Sequence, residues 1–204
     1  MFESDCKNYH AWSHKIWLVE RYEMWDDPTH IDFIDTMLDN NVRNNSVWSF
    51  RYFIINRRNR KNFSKEMVES ELKYALEMRI PQDWTNEAAW AYVRGWLAAS
   101  KEEASKSLDS NAKRIFIGEY DWLPAFLEEW AAYGEHSSFD EIELKGKGDE
   151  DDQESIEATA HLKYNGLKNN RFLYATLADL AIAHKQTEKA VGILENLKEI
   201  DPIR

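Results

Sequence analysis

Glycine and proline are scarce in this chain of 204 residues, which has seven of the first and four of the second. A β-sandwich or barrel draws on both residues at turn after turn, so their scarcity argues for an all-α chain. Cysteine is nearly absent: Cys6 stands alone, which rules out an internal disulfide and fits a reducing compartment. It reads as a small apolar residue on a helix approach, not as a reactive thiol. No apolar run approaches the ~20 residues needed to cross a bilayer, and Met1-Phe2-Glu3-Ser4-Asp5 lacks the basic and apolar regions of a signal peptide. A soluble, cytoplasmic protein without membrane insertion is expected. Positive charge is in deficit as well. The net charge of −11 would repel nucleic acid and anionic membranes and disfavours a general binder of either. Catalytic templates are also missing, since there is no phosphate-cradling Gly loop, no His-Glu-x-x-His, no Cys pair and no nucleophile elbow.

What the chain does have is tryptophan, nine in all, and three of them follow an asparagine by four residues. Asn8 precedes Trp12, Asn44 precedes Trp48 and Asn86 precedes Trp90, giving Trp-to-Trp spacings of 36 and 42 residues. The position six before each Trp is apolar: Cys6, Val42 and Trp84. A basic residue stands three after the first two, Lys15 and Arg51, and Val93 takes that place in the third. A period of this length is one helix hairpin with its turns, so the pattern predicts a stack of helical pairs. Asn is a good N-cap, which makes each copy a helix start. Each Trp then lies one turn in, on the face shared by Trp12, Ile16 and Val19 or by Trp48, Tyr52 and Ile55. Such a helix is too short to hide its own Trp, and neighbouring repeats must cover it.

Along the chain, the first helix is expected from Asn8 to Trp25, with Asp26-Asp27-Pro28 stopping it and starting its partner. Asn56 to Phe63 reads as a solvated loop carrying Arg57, Arg58, Arg60 and Lys61. Ser64 caps a helix that buries Met67 or Val68, Leu72, Ala75 and Leu76, and Pro81 ends that approach. The third Trp helix runs from Asn86 towards Ala99. A weaker aromatic stretch from Ile115 to Tyr133 is interrupted at Pro124. Residues 134–157 are dominated by Asp, Glu, Gly and Ser and read as a disordered acidic insertion in one repeat domain. The last pair is Asn170 to Ala183 and Thr187 to Ile200, with Thr187 as cap. Leu173, Leu177, Leu180 and Ala181 are expected to face Ala190, Ile193, Leu194 and Leu197.

Few constellations could carry chemistry. His10 and His14, at i and i+4, share a helix face as in half of a zinc site, and the alternatives are a structural or solvated pair and an anion-binding role for His10. No third ligand is in evident register, so no metal is expected on this chain. The acidic insertion lacks calcium-loop spacing. Trp12, Trp48 and Trp90 read as packing residues, and Lys15 and Arg51 as partners in ion pairs between stacked helices.

At Lys7-Asn8-Tyr9-His10-Ala11-Trp12, and at Val42-Arg43-Asn44-Asn45-Ser46-Val47-Trp48 with Arg51-Tyr52-Phe53 after it, the sequence resembles the α subunit of the heterodimeric protein prenyltransferases. Within that family it looks like the subunit shared by protein farnesyltransferase and type I geranylgeranyltransferase. The resemblance is strong from about Lys7 to Leu97. It implies a right-handed superhelix of helical hairpins wrapped around a β subunit. It also implies transfer of a farnesyl or geranylgeranyl group from its diphosphate to the thiol of a C-terminal Cys-a-a-X protein. Zinc, which the family holds on β, is the cofactor implied, with magnesium allowed beside it. The resemblance places Tyr9 and His10, with Asn8, near the isoprenoid diphosphate and leaves Asn44, Trp48, Arg51, Asn86 and Trp90 as repeat residues. The family also uses a Lys of the preceding repeat, which this sequence does not show. Truncation at both ends, and inactivity of the chain alone, are therefore expected. The contrasting reading is a tetratricopeptide-like scaffold without chemistry, which would show a small-residue packing code at a 34-residue period.

Overall fold

The computed structural model describes residues 5–59, 63–106, 120–136 and 150–202, and every regular element among them is helical. They are α1 (Tyr9–Arg21), α2 (Thr29–Asn40), α3 (Asn45–Arg58), α4 (Lys65–Lys73), α5 (Glu87–Lys106), α6 (Trp122–Gly134), α7 (Glu150–Leu167), α8 (Arg171–Ala183) and α9 (Thr187–Ile200). The chain divides into two compact units, residues 1–82 with 86–100 and residues 83–85 with 101–204. Among the described residues no helix is long and apolar enough to cross a membrane.

In the first unit successive helices pack on one another: Trp12 of α1 lies 6.0 Å from Phe33 of α2, α2 runs against α3, and Arg51 of α3 bonds to Glu71 of α4. Trp12, Trp48 and Trp90 are all buried, with Val19, Ile34, Leu38, Ile54, Leu72 and Leu76 around them. The rings interlock edge to face or tilted: Trp12 lies 5.5 Å from Phe50, Trp48 5.0 Å from Tyr92, and Tyr52 4.7 Å from Trp96. That spacing is the one aromatic quadrupoles favour.

Several boundaries differ from the sequence reading, each for a local reason. α1 ends at Arg21, not Trp25, because Glu23 takes a left-handed backbone (φ 52°) and the Met24 N–H bonds back to Val19 C=O at 3.0 Å. This is a Schellman closure without its usual glycine. Arg57 and Arg58 are not loop residues but the last turn of α3, where Arg57 meets Glu20 at 3.5 Å and Arg58 donates to Trp25 C=O at 3.2 Å. Arg60 and Lys61 lie outside the described residues. Ser64 does cap α4, accepting from Met67 N–H at 3.2 Å. The helix then widens into a π turn, Tyr74–Arg79, before a 3₁₀ turn takes in Pro81.

In the second unit Pro124 does not interrupt a helix. It sits in the first turn of α6, where its missing N–H costs nothing. Of the expected insertion, residues 137–149 lie outside the described residues, but Glu150 to Glu157 open α7 and are helical. Thr187 is the first residue of α9 and not its cap, since Gln186 holds that place without a side-chain bond. The inner face of α8 is buried as expected, but only Ala190 of α9 is, and Leu194 is exposed. Gly166 lets α7 press on Trp84, because a Cβ there would come within 2.3 Å of the Trp84 side chain.

Candidate functional site

Each motif asparagine caps its helix through the side-chain oxygen, and Asn44 and Asn86 use the amide nitrogen as well. The Oδ1 of Asn8 accepts from Ala11 N–H at 3.0 Å, that of Asn44 from Ser46 N–H at 3.1 Å, and that of Asn86 from Ala88 N–H at 3.1 Å. These are the N-caps the sequence predicts. The amide nitrogens reach back one repeat: Asn44 Nδ2 donates to Cys6 C=O at 3.0 Å and Asn86 Nδ2 to Val42 C=O at 2.8 Å. The same carbonyls accept from an indole, Trp12 Nε1 on Cys6 at 2.9 Å and Trp48 Nε1 on Val42 at 2.7 Å. So the apolar residue six before Trp12 and before Trp48 matters for its backbone oxygen, which two buried donors hold. The two lone pairs of one carbonyl oxygen accept both donors.

The second unit repeats the arrangement. Asn170 caps α8 through Phe172 and Leu173 N–H and donates to Trp84 C=O at 2.8 Å. Trp84 is two residues before Asn86, the offset at which Cys6 precedes Asn8 and Val42 precedes Asn44. Asn170 is thus a fourth copy with Tyr174 in place of Trp, 84 residues after the third. Its Asn-x-x-x-aromatic spacing was the available signal.

The edge next to the first rung is open. Tyr9 is 77% exposed, and Lys7 and His10 are exposed beside it. The Tyr9 and His10 rings meet at 5.6 Å in a T, while His14 stacks on Trp17, also at 5.6 Å. The first turn of α1 holds no acidic residue, so its positive end is not neutralised by its own side chains. Arg43, exposed, occupies in the second repeat the place that Lys7 holds in the first.

Behind the motif lies a buried ionic cluster. Arg51 grips Glu71 through two bonds, Nε to Oε2 at 2.8 Å and Nη2 to Oε1 at 3.1 Å, and lies over the Tyr74 ring at 3.5 Å. Tyr92 donates to the same Glu71 carboxylate, while Tyr74 donates to Asp35 and Arg79 reaches both Asp35 and Asp39. The expected ion pair at Arg51 is therefore present. Lys15, in the matching place of the first repeat, instead rests over Phe33 at 4.4 Å and Phe50 at 5.2 Å, and burial pushes its amine below the usual range. A groove of 470 Å³ beside the cluster is lined by Glu66, Glu69 and Glu77 together with Arg51 and Lys73, so carboxylates outnumber cations there.

Burial raises the phenols of Tyr74, Tyr92 and Tyr174 above their ordinary value, helped at Tyr92 by the Glu71 charge and at Tyr174 by its bond to Glu135. An acid whose folded pKa is raised keeps its proton longer when folded. The resulting stability is complete below the unfolded value of about 10 and is lost as pH climbs from there through the folded values. We expect phenolate absorbance of these three tyrosines to appear only together with loss of helical circular dichroism. Full phenolate absorbance in a folded chain just above pH 10 would contradict it.

The fold of the first unit is that of a helical-hairpin repeat protein whose hairpins are tied by Asn and Trp to backbone carbonyls. The signature of the protein prenyltransferase alpha subunit repeat matches residues 1–22 and 28–58. The chain is 37% identical over 80 residues to the protein farnesyltransferase/geranylgeranyltransferase type-1 subunit alpha of Dictyostelium discoideum, covering 39% of this chain and 24% of that protein. It is 25% identical over 116 residues to the geranylgeranyl transferase type-2 subunit alpha of Saccharomyces cerevisiae, covering 53% of this chain and 35% of that one. Among solved structures, a chain of the Candida albicans protein geranylgeranyltransferase-I complexed with GGPP superposes with a TM-score of 0.62 at 22% identity, covering all of this chain and 52% of that one. Residues 1–22 and 28–58 thus match the prenyltransferase alpha subunit repeat, and part of the chain is similar to prenyltransferase alpha subunits. The chain spans about half the length of the solved chain whose fold it shares and less of the curated proteins it matches.

Proposed function

We propose that the chain acts as the alpha subunit of a heterodimeric protein prenyltransferase, scaffolding a beta subunit and presenting Tyr9 and His10, with Asn8 and Lys7, to the diphosphate of a farnesyl or geranylgeranyl donor. The observation that carries this reading is the open Lys7–His10 edge, a phenol, an imidazole and an amine at a helix start with no acidic residue in its first turn. In the reaction the thiolate of a Cys-a-a-X protein attacks the first carbon of the isoprenoid, the carbon–oxygen bond breaks, and its electron pair leaves with the diphosphate. Donors aimed at that growing charge favour the transition state over the ground state. Among the described residues no cluster of three or more His, Cys, Asp or Glu side chains is arranged to hold a metal ion. Zinc enters this reading on the partner, where it would lower the pKa of the substrate thiol.

The test is single-turnover prenyl transfer by the chain paired with a beta subunit. A donor to a charged oxygen is worth roughly 1.5 to 3 kcal/mol, so Tyr9→Phe or His10→Ala should slow the chemical step about 10- to 100-fold. Peptide affinity should hardly move. Unchanged chemistry in both variants would leave α1 an architectural role.

A further inference from the structure

We propose that Asn44, one repeat downstream, is a positioning residue for the Lys7–His10 edge, acting through the Cys6 carbonyl. This rests on the reading that Tyr9 and His10 meet a diphosphate.

Asn44 is 0% exposed and cannot touch a ligand itself. Its Nδ2 holds the Cys6 oxygen at 3.0 Å from one side while Trp12 Nε1 holds it at 2.9 Å. The next residue, Lys7, bonds through its N–H to Asp5 Oδ1 at 3.0 Å, and the Asn8 N–H bonds to Asp5 C=O at 3.3 Å. The backbone from Asp5 to Asn8 is thus a closed turn whose Cys6 oxygen is gripped by two buried donors. Lys7, Tyr9 and His10 project outward from that turn and the helix turn it opens. A diphosphate donor array needs its members fixed to within a fraction of an ångström, because misplacement forfeits the preorganisation that favours the transition state. Beyond the Tyr9–His10 ring contact these side chains face solvent, so the backbone that carries them is held from beneath. Asn44 supplies it while capping α3, which ties the position of the edge to the repeat behind it.

The amide's two roles can be separated. Asn44→Asp keeps an oxygen for the Ser46 N–H, since Asp caps as well as Asn, but puts a second oxygen where Nδ2 met the Cys6 carbonyl. Asn86→Asp does the same one rung along, at Val42, and serves as control. In the heterodimer with a beta subunit, N44D is expected to lower single-turnover prenyl transfer about tenfold and to be non-additive with Tyr9→Phe. N86D should stay within about twofold of the parent. Amide hydrogen exchange at residues 7–10 should quicken in N44D and not in N86D, with heterodimer formation retained in both. Equal effects of the two Asp variants on rate and exchange would overturn the proposal, as would an unaltered rate in N44D while Tyr9→Phe and His10→Ala slow transfer. Silence of Tyr9→Phe and His10→Ala would overturn the diphosphate reading, and with it the catalytic purpose of Asn44. Exchange would still report whether Asn44 holds the turn.

Discussion

Trp48→Ala is expected to destabilise the first unit by roughly 3–5 kcal/mol, the usual cost of emptying a buried aromatic site. Trp48 is 1% exposed and is shared by three elements: its ring meets Tyr74 at 6.2 Å and Tyr92 at 5.0 Å, and its indole N–H holds Val42 C=O. Truncation therefore leaves a cavity between the π turn and α5 and removes one of two donors from a buried carbonyl. The other donor, Asn86 Nδ2, stays, so the polar part of the loss is the smaller one. Trp48→Phe should accordingly recover more than half of the deficit, because most of the volume returns without the N–H. Trp17, 51% exposed on α1, supplies the contrast: Trp17→Ala should lie within about 0.5 kcal/mol of the parent. For a unit of this size 3 kcal/mol corresponds to a fall in Tm of at least roughly 12 °C, well within the reach of thermal unfolding followed by circular dichroism. Similar melting of the Trp48→Ala and Trp17→Ala chains would refute the packing role of the motif tryptophan.

The contrast between these two tryptophans also shows what could be read from the sequence. A repeated spacing carries its own evidence, so Asn8, Asn44 and Asn86 were legible as caps and Trp12, Trp48 and Trp90 as core. The carbonyls of Cys6 and Val42 were not, because a backbone acceptor leaves no trace beyond an apolar side chain at a fixed offset. Asn170 was legible as a helix start but not as a fourth copy of the motif, for two reasons: Tyr174 replaces the tryptophan, and the distance from Asn86 is twice the preceding interval of 42. Glu23 ends α1 where a glycine signal was absent, and the same left-handed closure recurs at Lys185 after α8. Such ends are set by tertiary packing that makes the non-glycine strain tolerable. Of the candidate site, the exposed Tyr9 and His10 came from motif resemblance. The buried partners of Arg51 did not, since Glu71 sits in a charged stretch whose composition reads as a solvated helix face, and nothing in the apolar run around Tyr92 marks its hydroxyl as a donor to a carboxylate.

Arg51→Met is expected to cost roughly 3–5 kcal/mol, and the reason lies in what it leaves behind. Arg51 and Glu71 are both buried, 5% and 6% exposed, and two parallel bonds join them. Their mutual attraction in a low-dielectric interior mainly offsets the penalty of taking both charges out of water, so the pair contributes little net stability over an apolar pair of similar shape. Removing only the guanidinium strands the carboxylate with the Tyr92 hydroxyl as its remaining donor and uncovers the Tyr74 ring, which the guanidinium had stacked upon at 3.5 Å. Glu71→Met strands the guanidinium in turn, with Asp35 the nearest carboxylate at 3.8 Å. That neighbour is already engaged by Arg79 at 3.0 Å and by Tyr74, so it compensates only in part. The double variant Arg51→Met, Glu71→Met removes both unpaired charges and keeps the volume filled, leaving Tyr92 without its acceptor as the main deficit. Denaturant titration of the four chains should show each single change costing more than the double, with a favourable interaction energy on the order of several kcal/mol. Additive losses would mean that the two side chains act as separate packing elements, and a single Arg51→Met variant as stable as the parent would mean that the cluster is solvated enough to tolerate a lone carboxylate.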